Sequence, residues 1–185
     1  MGILAMFRRR PHERAGFELY GAAVGAARTP ALFIGLGVPD TLEGRFDLVS
    51  LHVGLLIRRL RTDGDARGAA LAQAVFDAMF ADMDVNLREM GVGDMSVGKR
   101  VRGMWEAFHG RALAYETALE SADPAALAEA LARNVWRGAP PPDGAADRLA
   151  GIARAQAAHL AGQGIDQLAA GRVAFLPAEG LVDAA

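Results

Sequence analysis

The chain has 185 residues, enough for one domain with a sizeable core, and 52% of them are hydrophobic, which excludes a wholly disordered protein. The formal net charge is −2, from 20 basic and 22 acidic residues, so the charge balance does not favour nucleic-acid binding. The absence of cysteine excludes disulfides, thiolate metal sites and thiol nucleophiles.

The N-terminal stretch MGILAMFRRRPHER places its apolar residues before its positive charges, which is the reverse of a secretory signal. Its apolar cluster beside Arg8, Arg9 and Arg10 would suit an anionic membrane surface, and the alternative is the frayed start of a first helix. The longest apolar run, residues 48–57, is about half of the ~20 residues that a membrane span needs. The sequence therefore predicts a cytoplasmic protein, either free or peripheral at the cytoplasmic face of the inner membrane.

Helical periodicity dominates the chain, and no alternating pattern of useful length predicts a strand. In chain order, helices are predicted over about 13–27, 30–35, 42–61, 69–90, 94–121 and 124–138. One or two small Ala-rich helices and a loose tail are predicted for the remainder. The sequence thus predicts an all-α fold, a single helical domain of about five to seven helices. The helical domain is predicted to comprise residues 1–138. Residues 139–185 are predicted to be a Pro/Gly linker and a loosely packed, Ala-rich C-terminal helical tail.

The helix predicted over 42–61 has apolar residues around most of its circumference, so it is expected to be the central, buried helix. Arg45, His52 and Arg59 fall seven residues apart on one line of this helix. Buried charges need acidic or carbonyl partners, because an unpaired buried charge is expensive. The expected partners are the polar residues that flank the apolar stripe of the 69–90 helix: Asp77, Asp82, Asp84, Asn86 and Glu89.

The stretch GVGDMSVGKR, residues 91–100, carries most of a phosphate-binding sequence. A working Walker loop needs Ser or Thr after its Gly-Lys pair, to reach the magnesium ion, and a buried strand before it. Here Arg100 follows Lys99, and a helix precedes the loop. We therefore interpret the stretch as a helix stop at Gly91, a turn, and a new helix that Asp94 or Ser96 caps.

Two spacings are typical of metal sites but lack essential members. Asp82 and Asp84 have calcium-loop spacing, yet Leu87 stands where that loop needs glycine. Glu106 and His109 have the spacing of di-iron bundles, which need a second copy that the chain lacks. The sequence predicts no metal, no cofactor and no catalytic set, and hence a binding protein rather than an enzyme.

Several sequence blocks between residues 17 and 121 resemble the ubiquinol–cytochrome c chaperone family. The most specific are VPD at 38–40, GRFD at 44–47, LH at 51–52, RRL at 58–60, and the stretch 82–100. The resemblance implies an all-helical, non-enzymatic assembly factor that binds newly made cytochrome b and supports assembly of the ubiquinol–cytochrome c reductase (bc1) complex. Mitochondrial members act with a small partner protein near the ribosome exit. The chain lacks an Arg/Ser-rich, acid-poor presequence, which favours a bacterial member.

Two sets of charged residues are candidates for the site. The candidate partner-binding residues are Arg28, Arg45, Arg59, Arg88, Asp94, Lys99 and Arg100. The candidate members of a structural polar seam are Asp40, Asp47, His52, Asp82, Asp84 and Glu89. For Arg45, Arg59, Asp84 and Arg88 a structural pairing is favoured over partner contact. Lys99 and Arg100 start a helix, where positive charge opposes the helix dipole, so partner contact is expected there.

Two other functions remain open from the residues alone. A helical enzyme or small-ligand-binding protein would use the Arg/Asp/His seam, and a deep pocket containing His52 would favour it. A scaffold protein would instead form a dimer through exposed helix surfaces that include Trp105.

Overall fold

The computed structural model describes residues 12–182, and every regular element within that range is a helix. The helices are α1 Glu13–Ala27, α2 Pro30–Ile34, α3 Leu42–Arg61, α4 Arg67–Glu89, α5 Asp94–Glu120, α6 Ala126–Val135, α7 Ala145–Ala161, α8 Ile165–Ala169 and α9 Ala178–Val182. The predicted all-α fold is confirmed. The nine helices of this range exceed the predicted five to seven, and α2, α8 and α9 are only five residues long each. The predicted membrane contact of residues 3–10 lies outside the described residues.

Helix α3 is the central helix, as its apolar circumference predicts, and α1, α4, α5 and α7 all pack on it. At its start, the Thr41 hydroxyl accepts a hydrogen bond from the Gly44 amide at 3.1 Å, which satisfies one of the unpaired amides of the first turn. Gly44 is required there, because an added Cβ would lie 2.0 Å from the Pro39 carbonyl oxygen. None of the helices within residues 12–182 is long and apolar enough to cross a membrane.

Helix α1 lies close against α4. A Cβ added to Gly16 would lie 2.6 Å from the backbone of Ala74, so the glycine permits the close approach of the two helices. The Tyr20 hydroxyl donates to the Asp82 carboxylate at 2.7 Å across the same contact. Burial, together with this hydrogen bond, raises the pKa of Tyr20, so the hydroxyl keeps its proton and remains a donor.

The C-terminal region is not the loosely packed tail that the sequence predicts. Four of its apolar side chains are buried in the same core as α3: Leu149, Ile152, Leu160 and Leu168. Two buried glutamines hold the segment after α8. Gln156 makes two hydrogen bonds to the backbone of Leu176, and Gln163 makes two to the backbone of Ala174. The prediction failed because the region is Ala-rich, and the buried amide side chains that hold it do not stand out in a hydrophobic pattern.

The junction between α4 and α5 has the form predicted for residues 91–100. Helix α4 ends at Glu89, and Gly91 adopts a left-handed conformation with φ of 79° that favours glycine. Helix α5 begins at Asp94 after Gly93, and no side chain caps it, so the predicted cap by Asp94 or Ser96 is wrong. The Asp94 carboxylate is instead paired with Arg88.

Candidate partner-binding site

The basic line on α3 does not pair with the acids of α4. Arg45 is exposed and pairs with Asp40 at 2.6 Å. His52 is buried, and its Nδ1 donates to the Leu48 carbonyl oxygen at 2.9 Å within the same helix. Burial lowers the pKa of His52, so the ring is neutral and needs no acidic partner. The pairing predicted across α3 and α4 was therefore wrong for these two residues.

Arg59 binds the end of α7 rather than α4. Its Nη1 lies 2.6 Å from the Asp63 carboxylate, its Nε donates to the Leu160 carbonyl oxygen at 3.1 Å, and its Nη2 donates to the Gln163 carbonyl oxygen at 2.7 Å. The side chain is only 14% exposed. Cations stabilise helix C-termini, where carbonyl groups lack partners. Through these hydrogen bonds, Arg59 connects the C-terminal region to the central helix.

Asp47 has two arginine partners that sequence reasoning missed. Its carboxylate is fully buried and lies 2.7 Å from Nη2 of Arg111 on α5 and 3.2 Å from Nε of Arg137 after α6. Burial raises the pKa of Asp47 to about 6, and the two arginines oppose that rise. The position of Arg111 between Phe108 and Tyr115 on the buried stripe of α5 is a signal that could have revealed it. No such signal marks Arg137.

Two polar atoms near this cluster are buried without a hydrogen-bond partner among the described residues, Nε of Arg111 and the hydroxyl of Tyr115. Burial raises the pKa of Tyr115. The Arg111 guanidinium also lies over the ring of Phe46, 5.6 Å from its centroid. The interior of the molecule at this point is therefore polar, charged and incompletely paired, which makes it sensitive to substitution.

Asp84 on α4 has a local partner, whereas Asp82 accepts from Tyr20 on α1. Arg88 pairs with Asp84 at 2.6 Å and with Asp94 at the start of α5. Glu89 is exposed. Arg88, Asp84 and Asp94 therefore link the two ends of the α4–α5 turn on the surface, and exposed pairs of this kind contribute little stability.

Lys99 and Arg100 differ from the other candidates. Both are exposed, and neither has an ion pair within residues 12–182. Met95, one turn earlier, is fully exposed. The structure thus leaves the first turns of α5 available for contact.

Arg28, at the end of α1, is also exposed and borders a groove of about 320 Å³ that includes Arg45 and Ile34.

Arg100 lines a second groove, which we call the α3–α5 groove. Its volume is about 280 Å³. Three arginines, one acid and an apolar floor form it: Leu42, Glu43, Phe46, Leu87, Arg100, Gly103, Met104, Ala107, Arg111 and Arg137. The groove brings Arg100, one of the predicted partner-binding residues, together with the two arginines that sequence reasoning missed.

The described residues contain no group of three or more His, Asp or Glu side chains that could hold a metal ion. Glu106 and His109, which have di-iron spacing, are exposed, and the His109 ring stacks on Trp105 at a centroid distance of 4.1 Å. His52 is not among the residues that line the grooves described above.

Comparison with known proteins identifies the family. The model of the ubiquinol–cytochrome C chaperone family matches residues 35–175. The chain belongs to this family. The match extends well beyond residue 121, the point at which the resemblance in the sequence blocks ends, and so includes much of the C-terminal region.

Two family relatives come from vertebrates. Ubiquinol-cytochrome-c reductase complex assembly factor 1 of Xenopus laevis is 27% identical over 121 residues, which cover 65% of this chain and 60% of that protein. The Mus musculus protein of the same name is 26% identical over 123 residues, which cover 66% of this chain and 40% of that protein. The chain therefore spans less than two thirds of the length of these relatives.

A solved member shows the same fold along almost the entire chain. The crystal structure of the Cbp3 homolog from Brucella abortus is 34% identical in sequence, with a TM-score of 0.80, and the match covers 98% of both chains. The shared fold therefore includes the C-terminal helices, of which α7 packs on α3.

Proposed function

We propose that this chain is a non-enzymatic assembly factor that binds newly made cytochrome b and supports its assembly into the bc1 complex. The observation that carries the proposal is the family match over residues 35–175, in a chain whose fold follows that of the Cbp3 homolog along 98% of its length. The proposal places its action at the cytoplasmic face of the inner membrane. A small partner protein and the ribosome are further partners to test there.

The surface of the molecule supports binding of such a client. A membrane protein under assembly presents long apolar helices and charged connecting loops, so its receptor needs apolar surface beside charged groups. The α3–α5 groove combines Phe46, Leu87 and Met104 with three arginines. Lys99 extends the positive charge along the exposed start of α5.

Deletion of the gene tests the proposal. We expect the amount of cytochrome b and the activity of the bc1 complex to fall together and to return when the wild-type chain is supplied. Co-purification of cytochrome b with a tagged chain tests the identity of the client separately. Unchanged cytochrome b and bc1 activity after deletion would contradict the proposed function.

The enzyme alternative depends on a deep pocket that contains His52. That residue is instead 1% exposed, its Nδ1 is taken by the Leu48 carbonyl oxygen, and its ring lies 5.8 Å from that of Phe175. These contacts favour a structural histidine. For the scaffold alternative, Trp105 is half exposed but stacked on His109, and a sizing column measures whether the chain forms dimers.

A further inference from the structure

We propose that the α3–α5 groove binds a single carboxylate side chain of an amphipathic peptide segment, held by Arg100 and Arg137. The apolar neighbours of that carboxylate then pack on Phe46, Leu87 and Met104. The inference rests on the proposed function in one respect, because it takes the peptide to be a segment of the client.

The charges of the groove favour an anionic group. Arg100, Arg111 and Arg137 line it, against Glu43 on the same surface and Asp47 buried beneath. Arg111 is held by Asp47 at 2.7 Å, whereas Arg100 has no ion pair among residues 12–182. The groove and the residues directly beneath it therefore carry three positive charges and two negative ones. Guanidinium groups bind carboxylates with two parallel hydrogen bonds, which suits one additional acidic side chain.

Arg137 has the geometry of a group that can take a second acceptor. Its side chain is half exposed, and its hydrogen bonds to Asp47 are long, 3.2 Å from Nε and 3.5 Å from Nη2. Its backbone φ is 52°, in the left-handed region that disfavours residues with a Cβ. Glycine would be less strained at this position, so contacts of the arginine, such as that with Asp47, must offset the strain.

The floor of the groove favours a peptide over a free anion. Phe46 and Leu87 present apolar surface at the base, and Met104 adds a flexible side chain that adapts to different partners. The groove between α1 and α4 is also largely apolar, but its lining includes Glu13 and Asp77 and no basic residue of the described chain. The described lining of that groove therefore offers no cation to a carboxylate, whereas the α3–α5 groove offers three.

Matched peptides test the proposal. The probe is a short fluorescein-labelled helical peptide with Leu on one face, one Glu within that face and Gln elsewhere, and its twin carries Gln in place of Glu. By fluorescence anisotropy, we expect the Glu peptide to bind the wild-type chain about tenfold more tightly than its twin, since one charge-assisted pair distinguishes them. Added salt should reduce that difference.

Variants of the chain identify the residues that cause the difference in affinity between the two peptides. Arg100→Gln should remove most of the difference between the twins, Arg100→Lys should restore part of it, and Glu43→Gln should tighten the Glu peptide. Arg102→Gln is the matched control, because Arg102 is exposed near Arg100 on α5 and does not line the groove. Equal binding of the twins, no binding of either, or an equal loss in the Arg102 and Arg100 variants would overturn the proposal.

The test is separable from that of the proposed function. It uses purified chain without cytochrome b, so its failure leaves the deletion result standing. Arg100 has no ion pair in the described part of the chain, and circular dichroism should show an unchanged fold in its variants. A photo-crosslinking group beside the Glu of the peptide should label α5 near Gly103 and Ala107, and labelling elsewhere would also overturn the proposal.

Discussion

Helices α3 and α5 carry most of the candidate site, and the surroundings of Arg59 on α3 are the opposite of those of Arg100 on α5. Helix α3 has 20 residues, of which twelve are buried, whereas α5 has 27 residues, of which four are buried. On α3, Nε, Nη1 and Nη2 of Arg59 each donate a hydrogen bond to an oxygen of this chain. Arg100 on α5 has no ion pair within residues 12–182.

The difference shows that burial of the side chain itself, rather than residue type, decides what an arginine does. A buried guanidinium must be satisfied by the chain's own oxygens, because its desolvation is otherwise uncompensated. An exposed guanidinium is solvated at little cost and remains available to a partner. Substitutions of buried side chains on α3 and on the stripe of α5 that faces it should therefore affect stability, and substitutions at the exposed start of α5 should affect binding.

The largest loss of stability is expected from Arg111→Met, which keeps the contact with Phe46 but removes the closest partner of the buried Asp47 carboxylate. We expect the free energy of unfolding at pH 7 to fall by about 3 kcal/mol, the lower end of the range for a broken buried pair. Urea denaturation measures it. Arg45→Met, which breaks an exposed pair with Asp40, is the matched control and should lower the free energy of unfolding far less. Equal losses would contradict the comparison.

The pH dependence of Asp47 is the next largest effect. Its pKa is about 6 in the folded protein and about 3.9 in an unfolded chain, so between these values the folded state binds more protons. Its contribution to the free energy of unfolding is therefore greatest below pH ~4 and is lost as the pH rises to about 6. The wild-type value minus that of Asp47→Asn should fall by up to about 3 kcal/mol over this interval. A difference between the two free energies that does not change with pH would show that the pKa of Asp47 is not raised.

Arg59→Ala should lower the free energy of unfolding by about 2 kcal/mol, because two carbonyl groups at the end of α7 and the Asp63 carboxylate lose a donor. Arg59→Lys should not restore the wild-type value, since one ammonium group cannot reproduce the planar guanidinium fork. Thermal and urea unfolding measure both. Arg100→Ala is the control, and a loss equal to that of Arg59→Ala would argue against the difference between α3 and α5.

The smallest effect on stability is expected from the double variant Lys99→Glu, Arg100→Glu. Both side chains are exposed at the start of α5, where negative charge suits the helix dipole, so the free energy of unfolding should change by less than about 0.5 kcal/mol. In the deletion strain, the variant should nevertheless fail to restore cytochrome b. A variant that folds and supports normal bc1 assembly would remove the start of α5 from the proposed site.

The local elements were accessible from the sequence because they depend on short-range patterns. The predicted bounds of α1 and α3 match the structure, and Gly91 was identified as the end of α4 because only glycine adopts its left-handed conformation at low cost. Partners of the charged residues were not accessible in this way. The line of Arg45, His52 and Arg59 was correctly recognised as a periodic feature, but its periodicity does not reveal which element faces each residue.

By itself, the sequence determined the all-α class, the central position of α3 and the exposed positive start of α5, because helical period, hydrophobic circumference and turn residues are local properties. Only the tertiary structure decided that Arg59 binds the end of α7 and that Arg111 and Arg137 converge on Asp47, 64 and 90 residues away in the chain. It also decided that the Ala-rich C-terminal region is packed, through Gln156 and Gln163. Such pairings depend on which surfaces meet when the helices pack, and no local pattern records them.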